Sequence, residues 1–230
     1  MKTLIDNKEI NGSLLLGMHR AFEAGAHRAN HRIGKNSMEK ESSRCEDGGY
    51  KCIHLRPEEF VSALGSVMAH LQIPIERESS TKFLDIGCGV GEKVYLASLF
   101  GLNAMGLELR QPLITEGKAL FRTMGVDITP WGEPIEHNHF IRGNALRFDY
   151  KDFDILYFYC PLCDHKLQCK LETRIAMTAK VGAVVIPYLP HGCFTGGKNH
   201  HPEDSYPENF AKNWELIQPA NHHRYWIRRA

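Results

Sequence analysis

The residues with the most chemical content are Asp85-Ile86-Gly87-Cys88-Gly89-Val90-Gly91, with Glu108 further along the chain. The short apolar run Phe83–Ile86 predicts a buried strand, the alternate glycines a turn, and Val94 to Phe100 a helix. Glycines at such a turn let backbone approach a ligand with no Cβ in the way, and the helix N-terminus presents unpaired N–H groups. Dinucleotide and mononucleotide sites also use glycine loops, so the loop alone decides little. Two details narrow it. The spacing is G-x-G-x-G, with Glu92 standing where a dinucleotide fingerprint has its third glycine. Asp85 ends the strand two residues before Gly87, where a carboxylate repels a pyrophosphate and attracts positive charge. The pattern predicts a cationic nucleoside ligand.

Such a loop works only on a scaffold that gathers strand ends at one edge. From Lys82 onward the sequence alternates strand and helix: a strand over Asn103–Leu109, a helix over Pro112–Met124, and a brief strand at His139–Ile141. A stronger strand follows at Asp154–Tyr159, then a helix over Lys166–Thr178 and an apolar strand over Ala183–Tyr188. This alternation predicts a doubly wound α/β domain with a parallel sheet. Trp214–Gln218 and Arg224–Arg228 break the rhythm, and their short connection requires an antiparallel pair. Between them and the preceding strand, Leu189–Phe210 is rich in Gly, His and Pro and predicts an irregular loop.

Upstream, Gly12 to about Asn30 predicts a helix with Leu15, Met18, Phe22 and Ala26 on one face. The polar stretch Gly34–Gly49 lacks aromatic and branched residues and predicts a flexible linker. A second helix starts at Arg56-Pro57-Glu58-Glu59 and carries Phe60, Leu64, Val67, Met68 and Leu71 inward. The expected division is a helical extension over residues 1–33, a candidate lid, with a linker over 34–50 and the main domain over 51–230. The four Lys/Arg at Arg20, Arg28, Arg32 and Lys35 read as a solvated helix face, because no aromatic residues interleave with them.

The 230 residues and 26.2 kDa suit one decorated domain that needs no disulfide or metal staple. Hydrophobic content of 43% and charged content of 24% exclude wholesale disorder, collagen and coiled coil. A net charge of +1 argues against a nucleic-acid binder that works through bulk charge. Seven cysteines do not make a secreted disulfide scaffold, and neither a signal peptide nor a long apolar run is legible. The expectation is a soluble, cytoplasmic protein with reduced thiols and no membrane contact.

The segment Asp85–Gly91 resembles motif I of the class I S-adenosylmethionine-dependent methyltransferases, and the agreement continues in order down the chain. Gly106-Leu107-Glu108 resembles the strand end whose acid takes both ribose hydroxyls in that family, with Leu109 beside it. Arg142-Gly143-Asn144-Ala145 stands where the family has Gly-Asp-Ala against the adenine; here Asn144 replaces the acid, and its amide can still meet the adenine edge. Phe153–Pro161 resembles the fourth strand and the loop beside the transferred methyl, including Tyr159 and Cys160. The resemblance runs from about Phe60 to Arg229. It implies a mainly parallel seven-stranded sheet with an antiparallel last strand and a helical N-terminal extension. It also implies S-adenosylmethionine as cofactor, S-adenosylhomocysteine as product, and contacts from Asp85, Gly87, Cys88, Gly89, Gly91, Glu108, Leu109, Asn144, Ala145, Tyr159 and Cys160.

Methyl transfer from a sulfonium is an in-line displacement, for which an enzyme supplies proximity, orientation and, for a protonated acceptor, a base. Acceptor-side candidates lie after the fourth and fifth strands: Tyr159, Cys160, Pro161, Asp164, His165, Tyr188 and His191. Tyr159 and His191 are the candidate catalytic residues, His191 as a base at neutral pH. The chain has Tyr159-Cys160-Pro161-Leu162 where many nucleic-acid and protein-amine methyltransferases have Asn/Asp-Pro-Pro-aromatic. A small-molecule acceptor is therefore the first expectation and a nucleic acid is disfavoured. The alternatives are a protein-lysine (Dot1-like) methyltransferase and a non-catalytic S-adenosylmethionine binder; Asp85 argues against a nicotinamide dehydrogenase. Cys160, Cys163, His165 and Cys169 have metal-like spacing, but no second C-x-x-C pair accompanies them, and no metal is expected.

Overall fold

The computed structural model describes residues 4–5, 8–9, 12–34, 56–74, 79–124, 139–159, 161–162, 165–188, 213–217 and 225–230. The chain opens with a two-residue antiparallel pair, β1 (Leu4–Ile5) and β2 (Lys8–Glu9), followed by the helices α1 (Gly12–Gly34) and α2 (Pro57–His70). The alternating part is β3 (Lys82–Ile86), α3 (Glu92–Leu99), β4 (Asn103–Glu108), α4 (Gln111–Thr123), β5 (Phe140–Arg142), β6 (Ile155–Tyr159), α5 (His165–Thr178) and β7 (Val184–Tyr188). The strands β8 (Trp214–Ile217) and β9 (Tyr225–Arg228) follow.

Seven strands form one sheet in the order β5-β4-β3-β6-β7-β9-β8. β3 to β7 are mutually parallel, while β9 runs antiparallel to both β7 and β8. The reversed strand is thus the last in sequence, inserted between the fifth parallel strand and β8. Helices cover both faces, which is why β3 and β6 read as near-continuous apolar runs rather than alternating ones. One face packs Phe83, Ala104, Ile155 and Tyr157 under α1 to α4. The other packs Leu84, Leu107, Leu156 and Phe158 against Leu171 and Ile175 of α5. β4 lies on one side of β3 and β6 on the other, so the strand order reverses at β3. The carboxyl ends of the strands at such a switch point are the place where open α/β sheets take ligands.

Two features lay beyond the sequence reading. The β1–β2 pair is too short to carry a detectable period. α1 runs to Gly34 instead of ending near Asn30, because its last turns are held from outside: Arg28 Nε donates to Glu116 Oε1 of α4 at 2.7 Å, and Arg32 lies 3.3 Å from Glu116 Oε2. The remainder of α1 buries Met18, Phe22, Ala26 and Ala29, with Phe22 edge-on to Phe121. Gly25 faces Leu120 so closely that a Cβ would lie 2.6 Å from its Cδ1. The predicted linker lies outside the described residues apart from Gly34, the last residue of α1.

Gly117 fixes how near α4 comes to the glycine loop. A Cβ there would sit 2.7 Å from the carbonyl oxygen of Val90 and inside contact distance of the Phe140 ring. Alanine normally stabilises a helix interior over glycine by about 1 kcal/mol. At this position the backbone must move instead, and Gly117→Ala is expected to destabilise by roughly 1–3 kcal/mol. Thermal melts of the variant and wild type check the sign; an unchanged or raised Tm would contradict the packing.

Candidate functional site

The site is assembled by the ends of β3, β4, β5 and β6. Pleating puts Asp85 on the same face as Phe83, opposite Gly106 in β4 and Tyr157 in β6. Beyond Asp85 the chain turns through three glycines in left-handed backbone, Gly87 (φ 77°), Gly89 (φ 58°) and Gly91 (φ 85°). The loop folds back over β4: the N–H groups of Gly87 and Cys88 both donate to the carbonyl of Leu107, at 2.8 and 3.1 Å. This fold-back is possible because Gly106 lacks a side chain. A Cβ on it would clash with the Cys88 side chain and lie 2.8 Å from Val94 Cγ2. Cys88 is accordingly buried.

Glu108 pins the loop from the end of β4. Its carboxylate accepts from the N–H of Gly89 at 3.1 Å on one oxygen, and from Leu109 and Arg110 at 2.9 Å each on the other. Burial raises the Glu108 pKa above the usual carboxylate range, opposed by those N–H groups and by the Arg110 guanidinium. Asp85 is also buried, and its pKa is pushed up to about 8, first by loss of hydration and then by the neighbouring Glu108 and Glu92; the Lys93 ammonium opposes the rise. Two carboxyl groups thus face one loop, one firmly hydrogen-bonded and the other largely protonated at neutral pH.

The walls come from the adjacent strands. Gly143 N–H donates to the Glu108 carbonyl at 3.0 Å, which ties the turn that begins with Asn144 and Ala145 to the end of β4. Leu109 is 44% exposed, an apolar side chain left at the rim. Asn144 Oδ1 accepts from Leu146 N–H at 2.9 Å, so the side chain shapes its own turn. Tyr150 Oη donates to the Ala145 carbonyl at 2.7 Å and fixes the same turn from below. On the other side, Pro161 lies against Gly87, where a Cβ would come within 2.6 Å of Pro161 Cβ. Tyr159, half-buried, ends β6 opposite Tyr188 of β7.

The structure therefore brings together Asp85, Gly87, Cys88, Gly89, Gly91, Glu108, Leu109, Asn144 and Ala145 around one loop, with Tyr159 at the neighbouring strand end. Cys160, Cys163, Asp164 and His191 lie outside the described residues, as does the His165 side chain. Of the cysteine–histidine cluster only the Cys169 thiol is described. It is half-buried, and burial followed by the charge of Glu172 pushes it up. Among the described residues, no group of three or more His, Cys, Asp or Glu could hold a metal ion, and no helix is long and apolar enough to cross a membrane.

Sequence reasoning missed a buried charged chain behind the loop. Glu92, the first residue of α3, takes Lys93 Nζ on one carboxylate oxygen and His19 Nδ1 of α1 on the other, each at 2.7 Å. His19 Nε2 also lies 3.3 Å from Glu23. The charged pair straight after the glycines was a visible signal; its partner 73 residues earlier was not.

No family model and no curated protein matches the sequence. Solved structures do match in fold. The chain is similar to magnesium protoporphyrin IX methyltransferase from Synechocystis with bound SAM, at 13% identity and a TM-score of 0.52, over 74% of this chain and 79% of that one. It also aligns with an RNA methyltransferase from Salinibacter ruber in complex with S-adenosyl-L-homocysteine, at 15% identity and a TM-score of 0.46, over 76% and 91%. A third match is a S-adenosylmethionine-dependent methyltransferase from Clostridium acetobutylicum, at 14% identity and a TM-score of 0.41, over 58% of this chain and 50% of that one, so the chain spans half that protein's length. At these identities the first match establishes the architecture: the chain has the Rossmann-like fold of the class I methyltransferases.

Proposed function

We propose that this protein is an S-adenosylmethionine-dependent methyltransferase acting on a small-molecule acceptor. The observation that carries the reading is Glu108, a buried carboxylate at the end of β4 whose three N–H donors leave it rigid at the mouth of a left-handed glycine loop. A nucleoside ribose offers two hydroxyl donors, and such a fixed acceptor is the group that takes them. The glycine loop fits the same ligand, since Gly87 and Gly89 leave bare backbone beside it. Asp85, among Glu92 and Glu108, favours the ammonium end of a methionyl group over a pyrophosphate.

In this reading the sulfonium supplies an already activated methyl group. The protein's own residues bind and orient. Glu108 holds the ribose, Leu109, Asn144 and Ala145 flank the adenine, and Asp85 with Gly87, Cys88, Gly89 and Gly91 hold the methionyl end. Tyr159, at the end of β6, and Cys160, the next residue in sequence, are assigned to the reacting centre. His191, three residues past β7, is assigned as the base for a protonated acceptor. The main domain is assigned to residues 51–230, with α1 as an N-terminal extension docked on α4. The near-zero net charge and the Tyr159–Leu162 segment support a small molecule over a nucleic acid.

The test is a melting scan with S-adenosylmethionine, S-adenosylhomocysteine and NAD in parallel. Ligand at 100 times its Kd adds about 2.7 kcal/mol, which at this size raises Tm by roughly 5–10 °C. A shift with both adenosyl ligands and none with NAD is expected. A shift with NAD alone, or with none of the three, would overturn the proposal. Incubation with methyl-labelled cofactor and pooled small-molecule acceptors then reports transfer directly.

A further inference from the structure

The helix α1 is fastened to both helices that flank the glycine loop. Toward α3, His19 Nδ1 meets Glu92 Oε1 at 2.7 Å, and Glu92 directly follows Gly91, the last glycine of the loop. Toward α4, Arg28 Nε donates to Glu116 Oε1 at 2.7 Å and Arg32 lies 3.3 Å from Glu116 Oε2. Glu116 directly precedes Gly117, the residue that lets α4 approach the Val90 carbonyl of the loop. Between these two ends Phe22 packs on Tyr95 of α3, ring centroids 5.8 Å apart, and on Phe121 of α4 at 6.2 Å. The Phe121 ring in turn abuts the loop, since a Cβ on Gly91 would lie 3.3 Å from its Cε1. Each of these attachments therefore ends one residue or one ring away from the loop. A lid has to leave and return, and undocking α1 would expose Met18, Phe22, Ala26 and Ala29, all of them buried. The two carboxyl groups that α1 engages are buried as well, so these contacts are screened less than ordinary surface pairs.

We propose that His19, Arg28 and Arg32 are positioning residues that make α1 a fixed strap across α3 and α4, and that this strap sets the shape in which the glycine loop holds the methionyl end of the cofactor. What concerns the ligand rests on the cofactor reading above; what concerns the loop stands on the contacts alone. Gly87, Gly89 and Gly91 have no side chains to pin them in their left-handed backbone. Hydrogen bonds tie the first half of the loop to β4, from Gly87 and Cys88 to the Leu107 carbonyl and from Gly89 to Glu108. The second half, Val90 and Gly91, rests between the start of α3 and the middle of α4, so its place follows the spacing of those two helices. α1 spans both. A strap fastened at two ends is released by freeing either, so His19 at one end and the two arginines at the other act as a unit.

The experiment compares the full chain as wild type, His19→Leu, the paired Arg28→Met and Arg32→Met, and all three changes together, at one fixed pH. Calorimetric titrations use S-adenosylhomocysteine and 5′-methylthioadenosine, which lacks the methionyl ammonium and carboxylate. Freeing either end should weaken S-adenosylhomocysteine binding by about three- to tenfold, the size of effect expected of residues that touch no ligand. The combined variant should be little weaker than the weaker of the two, whereas independent contributions would multiply. Affinity for 5′-methylthioadenosine should barely change. His19→Asn, which keeps a donor where Nδ1 stands, should recover most of the loss. Amide hydrogen exchange on the ligand-free proteins gives the second readout: exchange should quicken over Gly87–Gly91 when either end is freed and stay unchanged in β6 and β7. Wild-type affinity in both variants, losses that multiply, equal losses for both probes, or exchange quickened evenly along the chain would each overturn the proposal. Should the paired arginine variant not fold, Arg28→Met alone leaves Arg32 on Glu116 and completes the comparison. Failure of both probes to bind wild type would remove the cofactor reading instead, and exchange over the loop then decides whether α1 straps it.

Discussion

Glu108→Ala should weaken S-adenosylmethionine and S-adenosylhomocysteine binding by 100-fold or more and abolish the thermal shift at concentrations that saturate the wild type. Two losses combine. The carboxylate proposed to take the ribose hydroxyls is gone, and charge-assisted hydrogen bonds of this kind contribute about 1.5–3 kcal/mol each. The loop itself also loses its clamp, because Gly89 N–H then has no acceptor in a buried position. An orphaned buried donor costs roughly 1–3 kcal/mol, so the variant should also melt several degrees lower. Glu108→Gln separates the two effects. It preserves volume, but its NH2 group must face either the backbone donors or the ligand, so it should fall between alanine and wild type in affinity. Calorimetric Kd values and melts on the three proteins check this ordering. Wild-type affinity in Glu108→Ala, with a lowered Tm, would reduce Glu108 to a structural clamp and withdraw the ribose assignment.

The parts of this architecture that were legible in sequence are those governed by neighbouring residues. An apolar run, alternate glycines and an acid at the next strand end specify a strand–turn–helix unit, because left-handed backbone at Gly87, Gly89 and Gly91 has few other solutions. The reversed last strand was legible for a similar reason, since the short connection after Ile217 leaves no room for a crossover. What escaped were consequences of docking. That Cys88 would press on Gly106, or that Gly117 would open α4 to the Val90 carbonyl, depends on how far two elements approach. His19 carries no signal of its own in the sequence; the packing of α1 against α4 brings it to Glu92, 73 residues away. Asn144 was read as a ligand contact from its place in order, and the structure adds a local reason for an amide there, the turn it caps at Leu146. Likewise Gln168 and Glu172 face inward on α5 at helical spacing, where a residue-by-residue reading of polarity places them at the surface.

Asp85→Asn is expected to stabilise the ligand-free protein above neutral pH while sharply weakening the cofactor. The carboxyl ionises near 3.8, the ordinary aspartate value, in the unfolded chain and at about 8 in the folded one, because burial withholds water from the charge. The sign follows from linkage. A folded-state pKa above the unfolded one gives stability that is fully present below pH 4 and is lost as pH rises toward pH 8, where the unfolded chain has released a proton that the folded chain retains. Over pH 5 to 8 that loss amounts to about 4 kcal/mol for a single group. Asparagine has nothing to ionise, so its stability should fall much less over the same range. Glu172, held at about 7 by burial, gives the variant a residual slope of the same sign that ends near neutrality. Melts of wild type and Asp85→Asn at successive pH values should therefore start together in acid and diverge upward for the variant. The same variant should lose S-adenosylmethionine affinity most strongly at high pH, where the wild-type carboxylate is charged, and should keep its affinity for 5′-methylthioadenosine. Parallel stability curves would mean that Asp85 is already ionised in the empty site. A destabilised Asp85→Asn at every pH would mean that the carboxyl supports the fold, with no conflict between keeping the loop folded and keeping a negative charge ready for a cation.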